Sequence, residues 1–266
     1  MIDLFTIIYK WKKQIIAFCT LAVIMSIIIS MPSIMPPYFE SKMVFYISNP
    51  QSTDRANLFG DGEIGSISQF GSKDDINRFI TIANSSEVLD YIISKYKLST
   101  HYKIDSKDKQ LINFYTKREL QSNYKMLIND EGAIEASIID TDAQLAANMI
   151  KDIVAKSNEI YQNIIKQNKT KTLEQLNQLI SENPNDNSVE AEKLRNIYKQ
   201  YKVVAETDFK SLYIIQDAYP AAKKSKPVRW LIVASTAIAA LVGSILLAVI
   251  IELFKDASNR NTNIAK

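Results

Sequence analysis

Two stretches decide how this chain is read: IIAFCTLAVIMSIIISM at Ile15–Met31 and WLIVASTAIAALVGSILLAVII at Trp230–Ile251. No charged residue occurs from Gln14 through Phe39, and none within the second run. The first run has 17 residues, the short end of a spanning helix, and the second has 22, about 33 Å as a helix. Pro32, Pro36 and Pro37 stop the first, because proline lacks the N–H and clashes with the preceding turn. A cleaved signal peptide would share the basic start, but Ser30-Met31-Pro32-Ser33 offers a poor small-x-small cleavage site. Two membrane spans are therefore expected.

Lys10, Lys12 and Lys13 place the N-terminus in the cytoplasm, and two spans return the C-terminus to that side. Lys255 and Arg260 agree, whereas Lys223, Lys224, Lys226 and Arg229 lie on the outer side. Long loops cross largely regardless of charge, so the N-terminal lysines decide. Trp11 and Trp230, the only tryptophans, mark the interfaces. In the second span Ala240, Ser244 and Ala248 recur every four residues, with Ala239 and Gly243 beside them. Small residues on one helix face let two backbones approach, so this stripe is the candidate helix-packing site.

The chain carries 32 basic and 29 acidic residues, net +3. Removing the six basic and three acidic residues of segments 1–39 and 230–266 leaves 26 of each between the spans. A nucleic-acid partner needs a basic excess and is set aside. Cys19, the single cysteine, lies in the first apolar run, so the remainder holds no disulfide framework and no cysteine metal site. His101 is the only histidine, which excludes a multi-histidine metal site or a histidine triad unless it is that one residue. No cofactor is expected.

Between the spans the pattern is α+β. Phe39–Ser48 alternates as a strand through Met43, Phe45 and Ile47. Residues 49–74 lose periodicity and read as a long loop. Ile76, Phe79, Ile80 and Ala83 take helical spacing, and a second helix starts near Asn84–Ser86, with Glu87 placed for a capping box on Asn84. A third covers Lys107–Gln121. Tyr124–Ile128 and Ala133–Ile139 form a hairpin, with Gly132 at the left-handed turn position. From Asp142 to about Ser181 neither glycine nor proline interrupts helical spacing of Leu145, Met149, Ile153, Ile160, Ile164, Leu173, Leu176 and Ile180. Asn183–Asn187 breaks it, Val189–Phe209 turns back, and the pair reads as a hairpin arm. Leu212–Asp217 is a last strand, which leads through Pro220 and Pro227 into the second span. The first and last strands are expected to pair in a small mixed sheet of about four strands.

The expected organisation is a cytoplasmic N-terminus over 1–13, a first span over 14–33, and an α/β part over 34–140. The arm follows over 141–209, a strand and proline-containing linker over 210–229, the second span over 230–251, and a cytoplasmic tail over 252–266.

Motifs for chemistry are thin. Gly60-Asp61-Gly62-Glu63-Ile64-Gly65 matches Gly-x-Gly-x-x-Gly but does not follow a strand directly or open a helix. Asp74-Asp75 and Asp105/Asp108 have the form of paired acids, and helix capping explains them. No catalytic residue is assigned. On the arm Tyr161, Gln162, Asn163, Gln167 and Asn168 supply an aromatic face and amides of the kind that contact sugars.

Three stretches resemble the Wzz-type polysaccharide co-polymerases, or chain-length determinant proteins. They are the first span with the strand Tyr38–Ser48, the run Ile134–Asn148 with its Asp140-Thr141-Asp142 turn into an alanine-rich helix, and Asp217–Pro227 before the second span. The middle proline of the family's spaced series is replaced near Lys223 or Lys224, and the arm is shorter than is usual. The resemblance implies a bacterial inner-membrane protein with a periplasmic domain. It implies a homo-oligomer without catalytic activity that sets the length of O-antigen, capsule or exopolysaccharide chains. Its partners would be membrane lipid, a separate membrane polymerase and the growing glycan. No Gly-x-x-x-x-Gly-Lys-[Ser/Thr] occurs, so a fused kinase is not expected. Alternative readings are an adaptor for a separate tyrosine kinase, docking through Glu252–Lys266, and a two-pass sensor.

Overall fold

The computed structural model describes residues 4–50, 70–182, 188–206 and 210–264. The chain forms two compact units, Phe39–Ala222 and the paired terminal segments Met1–Tyr38 with Lys223–Lys266.

The terminal unit is a helix pair. Helix α1 spans Leu4–Ile29 and α8, the last helix, spans Arg229–Ile264. Helix α1 starts ahead of the expected 14–33, because Lys10, Lys12 and Lys13 continue its backbone, and it ends before Pro32. Helix α8 likewise runs past the apolar stretch at Ile251. Phe5–Ile29 and Arg229–Lys255 are each long and apolar enough to cross a membrane. Many of their apolar side chains face outward: Phe18, Leu21, Ile238, Leu241 and Leu246 are all exposed. Such a surface suits lipid, not water. The two helices pack on one another along their lengths. Trp11 Nε1 donates to Glu252 at 3.2 Å, and Lys255 sits 4.9 Å over the Trp11 ring. Tyr38 N donates to Lys226 O at 2.9 Å and Ser225 N to Tyr38 O at 2.8 Å, which ties together the two segments next to the helices.

The larger unit is α+β. Its strands are β1 (Phe39–Ile47), β2 (Tyr124–Ile128), β3 (Ile134–Asp140) and β4 (Leu212–Gln216) in the order β2-β3-β1-β4. Every pairing is antiparallel, so the sheet is not the mixed one expected. Strands β1 and β2 run the same way, but β3 lies between them and no parallel ladder forms. The first and last strands do pair, with Phe45 opposite Ile214 and Ile47 opposite Leu212.

One face of this sheet is the floor of the core. Met43, Phe45 and Ile47 of β1 alternate inward, as do Ile134, Ala136 and Ile138 of β3 and Tyr124 and Met126 of β2. Ile128 does not follow the expected alternation and is exposed. Helix α6, 40 residues over Ala143–Glu182, crosses β1 and β3. Its first half buries Ala146, Met149, Ile150, Ile153 and Val154. Helices α2 (Lys73–Ala83) and α3 (Ser86–Tyr96) pack on α6 and bring Phe79, Leu89 and Ile92 into the same core. A single-turn α4 (Leu98–His101) and α5 (Lys109–Asn123) close the side, with Leu98 and Leu120 fully buried.

The second half of α6 pairs with α7 (Val189–Glu206). Leu173, Leu176 and Ile180 are only half-buried and Ile164 and Ile197 are exposed. Two helices without a third layer can bury only one narrow stripe.

The caps differ from expectation at one point. Ser85, not Asn84, caps α3, its hydroxyl accepting from Val88 N, and Asn84 ends α2 instead. The capping box belongs to α2, where Ser72 and Asp75 bond reciprocally. The two side chains compete for neighbouring positions, and the one with extended backbone takes the cap. Asp142 caps α6 through Gln144 N and Leu145 N.

Candidate functional site

Among the described residues no group of three or more His, Cys, Asp or Glu could hold a metal ion. The Gly-x-Gly-x-x-Gly stretch at 60–65 and the break at 183–187 lie outside the described residues. Asp75 and Asp108 act as helix caps, and Asp74 sits in the first turn of α2. His101 is half-buried, with Nε2 2.8 Å from Asp140 Oδ1. The Thr141 hydroxyl donates to the same oxygen at 3.4 Å. Asp140 also accepts from Asp142 N at 2.9 Å, at the turn that starts α6.

The small residues of α8 differ in burial. Ala240, Ser244 and Ala248 are buried, Gly243 is half-buried and Ala239 is exposed. Cys19 Sγ of α1 stands 3.9 Å from Ser244 Oγ. Ser26 and Ser30 are buried too and turn their hydroxyls onto carbonyls of their own helix, which satisfies them without water. Pro227 follows a cis peptide beside the Tyr38–Lys226 bridge, and Pro220 is exposed.

A cleft of about 930 Å³ lies between α2 and α6, with Tyr201 of α7 at its edge. Small-molecule sites measure roughly 300–1,000 Å³. On α6, Tyr161, Ile165, Asn168 and Thr172 line it at helical spacing, on one face. On α2, Asp75, Arg78 and Ile82 face them with the same spacing. The local sequence explains the α2 wall. Ile76, Phe79 and Ala83 turn one side of α2 to the core and leave its polar side to the cleft.

Tyr161 is where the two walls meet. Its ring packs edge-on against Phe79 with centroids 5.8 Å apart, and the residue is 4% exposed. Its hydroxyl has no hydrogen-bond partner among the described residues. Leaving a buried polar group unpaired costs about 1–3 kcal/mol. Burial, then the Asp75 carboxylate, pushes the phenol up to about 12. Asp75 is engaged elsewhere, Oδ2 accepting from Ser72 N at 2.9 Å and Ser72 Oγ at 2.7 Å, with Oδ1 3.8 Å from Arg78.

Of the five arm residues read as sugar contacts, the cleft takes Tyr161 and Asn168. Gln162 turns away and donates to Ser211 Oγ at 2.8 Å, and Asn163 and Gln167 are exposed. The α2 wall was not anticipated. Asp75 and Arg78 lie more than 80 residues before Tyr161, and no local signal joins them.

Neither a family model nor a curated protein sequence matches the chain. Among solved structures, it is similar to a full-length bacterial polysaccharide co-polymerase at 11% identity, covering 98% of both chains with a TM-score of 0.46. It is similar to a fragment of WzzB, a polysaccharide co-polymerase from Salmonella Typhimurium, at 15% identity, covering 71% of this chain and 100% of the fragment with a TM-score of 0.37. It is also similar to a mutant of the Shigella flexneri lipopolysaccharide O-antigen chain-length regulator WzzBSF, at 10% identity, with 71% and 100% covered and a TM-score of 0.30.

Proposed function

We propose that this chain is a non-enzymatic, homo-oligomeric scaffold of the bacterial inner membrane that regulates the chain length of a surface polysaccharide made by a separate polymerase. The observation that carries the reading is the pairing of β1 with β4. The strand that follows one apolar helix is hydrogen-bonded to the strand that precedes the other. One body is thus tethered through both its ends, and it carries a 40-residue helix far longer than its core requires. The sequence stretches that resemble chain-length determinants fall on the joints of this plan. Ile134–Asn148 is β3, the Asp140–Asp142 turn and the start of α6, and Asp217–Pro227 links β4 to α8.

The proposed mechanism is positional. The arm's partly exposed apolar stripe suits contact with further copies, and a ring of arms would hold the growing glycan or the polymerase until a length threshold favours release. With the termini in the cytoplasm, Phe39–Ala222 is periplasmic. Deleting the gene and resolving the surface polysaccharide on a gel tests the function. A changed modal length is expected, and an unchanged distribution rejects it. The mass of the solubilised protein separates the scaffold from a two-pass sensor, since a large ring favours the first and a monomer or dimer the second.

A further inference from the structure

The buried hydroxyl of Tyr161, at the wall of the α2–α6 cleft, has no hydrogen-bond partner among the described residues. Nearly all buried polar groups in folded proteins find a partner, and the exceptions call for a reason. Packing does not supply one here. The ring is held by its edge contact with Phe79, which a phenylalanine at 161 would make equally well. Asp75 carries a charge close enough to bear on the phenol, yet its oxygens serve Ser72 and Arg78.

The chemistry around that hydroxyl narrows the ligand. Asn168 and Thr172 continue the Tyr161 face of α6: the Asn168 amide both donates and accepts, and the Thr172 hydroxyl, which donates to Asn168 O at 3.0 Å, is left to accept. Opposite them Asp75 accepts and Arg78 donates. Ile82 and Ile165 add apolar surface to the lining. Opposed charges leave no basic excess for a polyanion, and a wholly apolar ligand would leave the charged and amide groups on both walls unpaired. Closely spaced donors and acceptors beside apolar surface match a molecule with adjacent hydroxyls on an apolar ring. The cleft also follows the axis of α6 over three turns, the shape of a linear chain segment.

The geometry points to this cleft as a binding site for a short segment of glycan, with the Tyr161 hydroxyl bonded to a sugar hydroxyl and Asn168 and Asp75 to its neighbours. The choice of ligand rests on the function proposed above.

The test uses the full-length protein in a detergent that carries no sugar. The probe is the oligosaccharide mixture released by mild acid from the producing strain's own surface polysaccharide. Tyr161→Phe removes one hydroxyl and keeps the ring. It is expected to weaken binding roughly five- to tenfold, without lowering the melting temperature, because a bonded hydroxyl in a built site is costly to lose. Asn168→Ala is expected to weaken binding in the same way, while Gln162→Ala, on the other side of α6, leaves it unchanged. Wild-type protein that binds none of the mixture overturns the site, as does a Tyr161→Phe variant that binds as well as wild type. The two proposals fail separately. Chain lengths that respond to gene deletion, with no binding in the cleft, reject the site and leave the scaffold. Binding that weakens in Tyr161→Phe, with chain lengths indifferent to the deletion, rejects the scaffold and leaves the site.

Discussion

Asp140, only 2% exposed, receives the His101 ring at 2.8 Å and so joins the short α4 to the turn at which β3 becomes α6. The same oxygen accepts from Asp142 N, and Asp142 caps the long helix. One carboxylate thus holds a strand end, a helix start and a distant turn. Asp140→Ala leaves the imidazole and a backbone N–H without their acceptor. A loss of about 1–3 kcal/mol is expected, read by urea denaturation of the solubilised protein. His101→Ala should cost less, because its side chain is a quarter exposed and water replaces it. Equal losses from the two variants would argue against the network.

The sheet-to-helix core depends on Phe45. It is fully buried and meets the Phe79 ring edge-on at 5.5 Å, and that ring in turn meets Tyr161. Phe45→Ala is expected to destabilise by about 3–5 kcal/mol, since transfer and cavity costs add in a site closed on all sides. Phe45→Leu should recover most of it. A loss below about 1 kcal/mol on thermal unfolding would mean that the sheet face is not packed as described.

The helix pair is testable by its own chemistry. Cys19 is the only cysteine, and its sulfur lies 3.9 Å from the Ser244 hydroxyl. Ser244→Cys places two sulfurs across the seam, and mild oxidation should join α1 to α8 within one chain. After proteolysis between them, the two fragments should stay together on a non-reducing gel and separate on a reducing one. Leu246→Cys, on the exposed face, should give no such link. Separation of the fragments in the Ser244→Cys protein would show that the seam is elsewhere.

Tyrosine ionisation sets the alkaline limit. Burial pushes Tyr96 and Tyr161 up to about 12 from 10.0 in the unfolded chain, and burial raises Tyr102 and Tyr124 further. A raised pKa in the folded state means the unfolded chain loses its protons first. The contribution is whole below pH 10.0 and is lost as pH rises from there through about 12. Lys95, raised by its bond to Asp152, adds loss in the same direction. Stability should fall across this window, and tyrosinate absorbance should lag behind that of the denatured chain. Tyr161→Phe should make the fall shallower, and an unaltered slope would contradict the burial of that phenol.

Much of the fold was legible because its signals are local. Charge-free runs announce α1 and α8, alternation announces β1 and the β2–β3 hairpin, and forty residues without glycine or proline announce α6. Gly132 sits at φ +77° where the hairpin needs a left-handed residue. Two local readings gave way to context. Asn84 has the chemistry of a cap, but Ser85 has the extended backbone that capping α3 requires. Ile128 lies two residues beyond the buried Met126, but at the end of β2 it is exposed.

By itself the amino-acid order determined periods, charges and breaks, and with them the two apolar helices, the strands and the long helix between its stops. Only the tertiary structure decided what those elements place together: an antiparallel rather than mixed sheet, the His101–Asp140 joint, and the facing of Asp75 and Arg78 on α2 with Tyr161 and Asn168 on α6. The physical reason is that periodicity reports which side of an element is apolar. It carries no information about which distant polar side will lie opposite, and that is settled when the core is packed and every remaining group must share what space is left.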